Sequence, residues 1–281
     1  MTGVLGGLVA ALMWGTSTAI ASRSTRMIGS QQVLAYVMLT GLVIMVVAAP
    51  VVEGVPDVTS RGAAWALAAG AASVVGLGCV YAALRVGKVG VVAPIASCEG
   101  ALAAVFSVIF LGEQLSLGVA LALALVACGV VLVTFHARLS DVHLRPALLA
   151  GTSAVVFGFG LVASSQAGGA IGPYWTILVS RVVGVVFVVA PMVLSGQLRL
   201  PGRRALPLVV YSGVAEVTGF VGYITGSQHG VAVPAVLASQ FAAVAAFVSF
   251  LFFGERLTRM QVCGAVLIGT GVATVAVLRA G

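Results

Sequence analysis

Apolar residues run along this chain in blocks of about twenty, and polar and turn-forming residues are confined to the short gaps between them. Ten such blocks can be distinguished: residues 3–22, 33–52, 62–84, 89–111, 117–135, 147–165, 174–194, 208–226, 232–253 and 260–278. At a rise of about 1.5 Å per residue, each is long enough to cross roughly 30 Å of hydrocarbon as one α-helix. The pattern predicts an all-α, polytopic membrane protein with ten transmembrane helices. Ten-residue segments that alternate apolar and polar, the mark of a membrane β-barrel, do not occur. Punctuation falls where helices should end: Pro56 and Asp57 after the second block, Gly172-Pro173 before the seventh, Pro201-Gly202 before the eighth. No gap is long enough for a separate soluble domain.

The pattern is also written twice. A shift of 142 residues places Gly112-Glu113 on Gly254-Glu255, Leu115 on Leu257, Ser107 on Ser249, Phe110 on Phe252, Tyr81 on Tyr223 and Gly129-Val130 on Gly271-Val272. Shifts one residue to either side bring Gly15 onto Gly158, Ser22 onto Ser165 and Pro50 onto Pro191. The chain therefore divides into two five-helix units, residues 1–139 and 140–281. Five is odd, so the second unit enters the membrane from the opposite face, which predicts two inverted repeats. The stretches FLGEQLS (Phe110 to Ser116) and FFGERLT (Phe252 to Thr258) are expected to be helix hairpins. In each, the Gly closes one helix in the left-handed conformation, and the Glu lies near the positive end of the next helix, capped by Ser116 or Thr258.

Composition agrees with this pattern: 61% of the 281 residues are hydrophobic and 7% charged, against about 25% charged in soluble domains, and the mean hydropathy is +1.20. The net charge of +7 does not point to nucleic acid, because the basic residues form no single patch with interleaved aromatics. They mark topology instead. The gaps after odd-numbered helices hold Arg23, Arg26, Arg85, Lys88, Arg138, Arg145, Arg199, Arg203, Arg204, Arg256 and Arg259, whereas the other side holds only Arg61 and Arg279. The positive-inside rule makes the first set cytoplasmic and places both termini outside the plasma membrane. No Lys or Arg precedes Arg23, so the first block is expected to remain as a helix and not to be cleaved as a signal peptide. Cys79, Cys98, Cys128 and Cys263 all fall within apolar blocks without metal or redox spacing, and are expected to pack as small apolar side chains.

A doubled five-helix unit whose fourth helix ends in Gly-Glu-x-Leu-Ser/Thr, with a late glycine in the fifth (Gly129, Gly271), resembles the EamA family of the drug/metabolite transporter superfamily over essentially the whole chain. The resemblance implies a ten-helix secondary transporter, frequently an exporter of amino acids, small metabolites or toxic compounds. Trp14-Gly15 matches a Trp-Gly pair common in the family's first helix. Glu99 matches the acid of a mid-helix Glu-Pro pair, with Gly100 in place of the proline. The equivalent place in the second half is Phe241, preceded by Gln240, so the second acid is missing. Arg181 matches an arginine of the second helix of each repeat, which Thr40 replaces in the first.

Ionisable residues at membrane depth require an explanation of their own, because lipid tolerates them poorly. Glu99 lies in the fourth block, Arg181 in the seventh and Glu216 in the eighth. Each should face a partner or a wet cavity. Arg181 compensates one carboxylate, leaving the other to bind a proton or a cationic ligand. Glu216, Phe220 and Tyr223 share a helix face at i, i+4 and i+7, and Trp14, Ser17 and Thr18 form another. Trp14, Tyr223 and Gln240 are expected to shape the pocket. Trp65, Tyr174 and Trp175 fall near helix ends, at the depth of the lipid headgroups. Small residues such as Gly3, Gly6 and Gly7, or Gly264 and Gly271, suit close helix packing. His229 is expected to be a solvated turn residue.

Other classes fit less well. His136, His143 and His229 form no zinc-site spacing, and no charged-ring or carbonyl-loop filter marks a channel. No phosphate-binding G-x-x-x-x-G-K-[ST] occurs, since Val89 follows Lys88. The expectation is a secondary transporter, an exporter of small organic metabolites such as amino acids or amines, proton-linked or facilitative. An organic cation such as a quaternary amine is the alternative substrate, and a membrane enzyme is the rival class. Expected partners are the bilayer, a small-molecule substrate and protons, without cofactor or metal, and the chain acts as a monomer or homodimer.

Overall fold

The computed structural model describes residues 2–87, 89–114 and 144–253, with isolated positions between 116 and 128 and between 263 and 274. All regular structure among the described residues is helical. The chain forms α1 (Thr2–Ile28), α2 (Ser30–Glu53), α3 (Ser60–Val86), α4 (Val89–Ala96) and α5 (Glu99–Leu111), then α6 (Leu144–Ile171) and α7 (Pro173–Gly184). A π-helical stretch, Val185–Val189, joins α7 to α8 (Ala190–Leu194), and α9 (Leu206–Gly226), α10 (Ala232–Ala238) and α11 (Phe241–Phe253) follow. Six helical stretches among these are long and apolar enough to cross a membrane: α1, α2, α3, α6, the run Pro173–Leu194, and Leu206–His229. The expected fifth helix of each unit, 117–135 and 260–278, lies largely outside the described residues, as do Glu255, Thr258, Gly264, His136 and His143.

Local chemistry sets the boundaries. Thr59 caps α3, its hydroxyl accepting from the Gly62 amide at 3.1 Å. Gly112 ends α5 in the left-handed conformation, φ 64° and ψ 26°, as its place in the Gly-Glu stretch predicts. Pro191 has no N–H to give to the preceding turn, and the helix widens into the π-helical stretch just before it.

Two expectations about continuity are corrected. The fourth and ninth apolar blocks, read as single spans 89–111 and 232–253, are each broken: α4 stops at Ala96 and α5 restarts at Glu99, while α10 stops at Ala238 and α11 restarts at Phe241. The breaks lie 142 residues apart. The reason is tertiary, because the two broken helices cross at closest approach there. A Cβ added to Gly100 would stand 2.5 Å from the Ala235 carbonyl oxygen and 2.6 Å from the Ser239 Cβ.

The two largest helix interfaces pair α1 with α9 and α3 with α6. In the first, Gly3 and Gly6 lie directly on Gly222 and Gly226, backbone against backbone. In the second, Gly160 meets Ala72 and Gly76 meets the Phe157 ring, and the Ser153 hydroxyl donates to the Gly76 carbonyl at 3.1 Å. Lipid tails are as apolar as leucine, so close backbone approach and such hydrogen bonds hold membrane helices together where burial from water does not. Large apolar side chains such as Val43, Val47, Ile109, Phe110 and Phe187 are exposed on the outside of the bundle, where lipid would cover them. Cys98, Cys128 and Cys263 are exposed, against the expectation that they pack within the protein, and Cys79 is half-buried.

Glu113 does something its turn did not predict. Its carboxylate accepts from the amides of Val231 (2.9 Å) and Ala232 (3.2 Å) at the start of α10, in the other half of the chain. Glu53 does the same for α7, accepting from the amides of Tyr174 (3.2 Å) and Trp175 (3.3 Å). Gly172, at φ 90°, leaves room for that carboxylate, which a side chain there would strike. Helix N-termini present unpaired N–H groups and a partial positive charge, and a carboxylate satisfies both. Two acidic latches thus join the halves at one end of the bundle. At the opposite end a neutral joint links the halves, Gln32 donating to the Gln197 carbonyl at 2.6 Å, and within the first half the Arg26 guanidinium donates to the Gly87 carbonyl at 2.9 Å. Glu113→Ala removes the acceptor for two amides, and is expected to destabilise the fold by about 0.5–2 kcal/mol, read as a lower unfolding temperature in detergent. Glu113→Gln, which keeps one acceptor oxygen, should fall between it and the wild type.

Candidate functional site

Breaking the fourth block places Glu99 at the first position of α5, so its side chain projects from a helix start in the middle of the bundle. Glu216 comes from α9, and both carboxylates are buried, 5% and 6% exposed. They line one small cavity and lie within electrostatic reach of each other. Five aromatic side chains stand on its walls: Trp14 from α1, Tyr81 from α3, Phe157 from α6, Phe220 from α9, and Phe241 at the restart of α11. Thr18, Leu77, Val80 and Leu161 complete them. The enclosed space is about 40 Å³, room for only a few water molecules.

Each sequence-predicted residue can now be placed. Trp14 is on the wall, its indole N–H directed at the Glu216 carbonyl at 3.5 Å and its ring 5.0 Å from Phe220, edge to face. The Ser17 hydroxyl donates to Glu216 Oε1 at 3.4 Å. Tyr223 is fully buried behind Trp14, 6.1 Å between ring centres, with its hydroxyl donating to the Leu161 carbonyl at 3.1 Å; it braces α9 against α6 and does not face the cavity. Gln240 lies at the second helix break, its amide nitrogen donating to the Val236 carbonyl at 3.0 Å and its oxygen without a partner, and it is not on the cavity wall. Trp65, expected only to anchor at the headgroups, lines a depression of about 590 Å³ at the acidic end, together with Arg61 and Glu113.

Arg181 is 1% exposed and stands behind the Phe220 ring, its guanidinium carbon 5.5 Å from the ring centre. One terminal nitrogen donates to Met38 Sδ at 3.3 Å, and Nε has no partner. Gly41 makes room for the side chain, since a Cβ there would stand 2.8 Å from Arg181 Cδ. Arg181 forms no direct hydrogen bond to a carboxylate among the described residues, yet Glu216 and Tyr81 lie within the range of its field. The stack Trp14, Phe220, Arg181 thus puts an aromatic partition between the positive charge and the cavity.

Tyr81, Phe157 and Phe241 were not chosen from sequence. Tyr81 carried a signal, since the 142-residue shift pairs it with Tyr223. Phe157 and Phe241 carried little, because aromatic residues in apolar helices are common and only the fold turns them inward. Among the described residues no group of three His, Cys, Asp or Glu side chains could hold a metal ion.

This arrangement can hold a small cation between two carboxylates and several ring faces. The sequence profile of the EamA-like transporter family matches residues 1–135 and again 144–277. No curated protein sequence matches the chain significantly. The fold is shared with 29 solved chains. One of these, described only as a crystal structure of a protein, is 18% identical with a TM-score of 0.75, over 98% of this chain and 96% of that one. At that identity it speaks to the fold alone, and with a family profile that matches twice in succession and together covers almost every residue, the chain belongs to the EamA-like transporter family.

Proposed function

We propose that this protein is a proton-linked secondary transporter that exports a small amine-bearing organic metabolite across the plasma membrane by alternating access. The observation that carries the reading is the cavity wall: two carboxylates and five aromatic rings face the space, while Arg181 stands behind Phe220. Such a wall attracts a cation through its carboxylates and its ring faces together. Charge counting supports proton linkage. Two carboxylates and one guanidinium leave one negative charge in a buried site, which either a proton or a cationic substrate neutralises. Competition between the two couples proton entry to substrate exit.

The architecture we propose is ten helices in two inverted five-helix units, 1–139 and 140–281, that rock about the shared chamber. The two broken helices crossing at Gly100 support it. Charge supports an outward position for the termini, because Arg26, Arg85, Arg145 and Arg199 lie at the end away from Glu53 and Glu113. A quaternary amine is the second reading, favoured by the ring faces. Transport is favoured over enzymatic chemistry by the family.

Counterflow in proteoliposomes tests the proposal. Labelled phenethylammonium should exchange for unlabelled at a saturable rate, should leave faster when the opposite compartment is acid, and should be recovered unchanged. Absence of exchange with primary amines, quaternary amines and amino acids alike would refute it.

A further inference from the structure

Tyr81 and Tyr223 occupy equivalent positions 142 residues apart, and both are buried, 1% and 0% exposed. Their hydroxyls are treated differently. That of Tyr223 is engaged by the Leu161 carbonyl. That of Tyr81 lies near Ser17 and Glu216 but forms no hydrogen bond of sound geometry among the described residues. Buried polar groups are nearly always paired, so an unpaired one on a cavity wall marks a place where the occupant supplies the partner. The Tyr81 side chain is on that wall, alongside Glu99 and Glu216.

We propose that the Tyr81 hydroxyl is the third hydrogen-bond acceptor for the substrate's ammonium group, and that it makes this transporter select primary amines over quaternary ones. The inference rests on the amine reading above and deepens it. A primary ammonium carries three N–H donors, and ionised carboxylates can only accept. Glu99 and Glu216 take two of the three. The phenol oxygen takes the third through a lone pair. A quaternary ammonium has no N–H and gains nothing from the hydroxyl, whereas the ring face of residue 81 serves either cation. Tyr81→Phe keeps the ring and removes only the acceptor.

Dissociation constants of phenethylammonium and of its N,N,N-trimethyl analogue, measured by calorimetry on the full chain in detergent, test this. The wild type should bind the primary amine more tightly. Tyr81→Phe should weaken that binding about tenfold or more, as expected for a hydrogen bond to a charged group, and leave the trimethyl analogue within about twofold. Tyr223→Phe, whose hydroxyl is engaged within the protein, should leave the ratio of the two constants at its wild-type value. The unfolding temperature of Tyr81→Phe should be at or above that of the wild type, because no bond within the protein is lost. Equal weakening of both ligands would make Tyr81 a packing residue and overturn the proposal. An unchanged primary-amine affinity would overturn it and leave the amine reading standing. If the wild type binds neither cation, the amine reading falls and the selectivity proposal with it.

Discussion

Glu216→Gln is expected to reduce amine affinity by about thirty-fold or more, the consequence of losing about 2–5 kcal/mol when one member of a buried charge pair is removed. It should also abolish the response of transport to a proton gradient. The substitution keeps the shape of the side chain and an acceptor for the Ser17 hydroxyl, so a transport defect would not reflect a collapsed cavity. An amide cannot exchange the proton, and efflux driven by an acid exterior should become indifferent to pH. Glu99→Gln should give the same loss of coupling with a different effect on stability. Glu216 stands within the field of Arg181, and neutralising it leaves the buried guanidinium without its nearby anion. Its cost should lie below the roughly 3–5 kcal/mol of breaking a direct buried ion pair, because the two groups do not touch. Glu99 is buried beside the like charge of Glu216 and forms no ion pair among the described residues, so Glu99→Gln should unfold at the wild-type temperature or above. Uptake and efflux in proteoliposomes against pH, with thermal unfolding of the same samples, separate the two. Wild-type pH dependence in both variants would remove these carboxylates from the mechanism.

The largest loss of stability among single substitutions is expected at Gly6. A Cβ there would overlap the Gly222 carbonyl oxygen and stand 2.9 Å from the Gly226 Cα. Both obstacles are backbone, so no side chain can rotate away, and α1 must separate from α9. Overpacking of this kind costs about 1–3 kcal/mol, and in a bundle held by close backbone approach it also removes the contacts of Gly3 and Gly226. Gly6→Leu should therefore unfold well below the wild type, with Gly6→Ala between them. Gly151, in α6, provides the control. Nothing lies within 4 Å of a Cβ added there, and Gly151→Ala should be neutral or stabilising by about 0.5–1 kcal/mol. Equal unfolding temperatures for Gly6→Ala and Gly151→Ala would show that the α1 and α9 contact is not what holds that end closed.

Lipid explains how much could be read from the chain. Helices that cross a bilayer must satisfy their own backbone and present apolar side chains over a set length, so membrane helices can be counted along a sequence. The buried acids could be found for the same reason, since a charge in an apolar block is conspicuous. Glu99, Glu216 and Arg181 stood out by rarity, Glu99 and Arg181 also by their match to the family's motif, and the 142-residue repeat was legible because two copies share their turns. Direction within the bundle was not legible. Mean apolarity all round a helix carries little record of which face meets a neighbour, so Phe157 and Phe241 could not be told from lipid-facing rings, nor Tyr223 from a cavity residue.

The amino-acid sequence by itself determined the membrane class, the helical order, the doubled unit and the identity of the buried charges, because these follow from hydrocarbon thickness, backbone hydrogen bonding and the expense of desolvating an ion. Only the tertiary structure decided that the fourth and ninth blocks break, that Glu53 and Glu113 reach across to helix starts in the other half, that Arg181 stands behind Phe220, and that the Tyr81 hydroxyl is left without a partner. Each of these depends on which backbones approach within a few ångströms at a crossing, a quantity set by side-chain volumes on two distant segments at once and carried by neither segment alone.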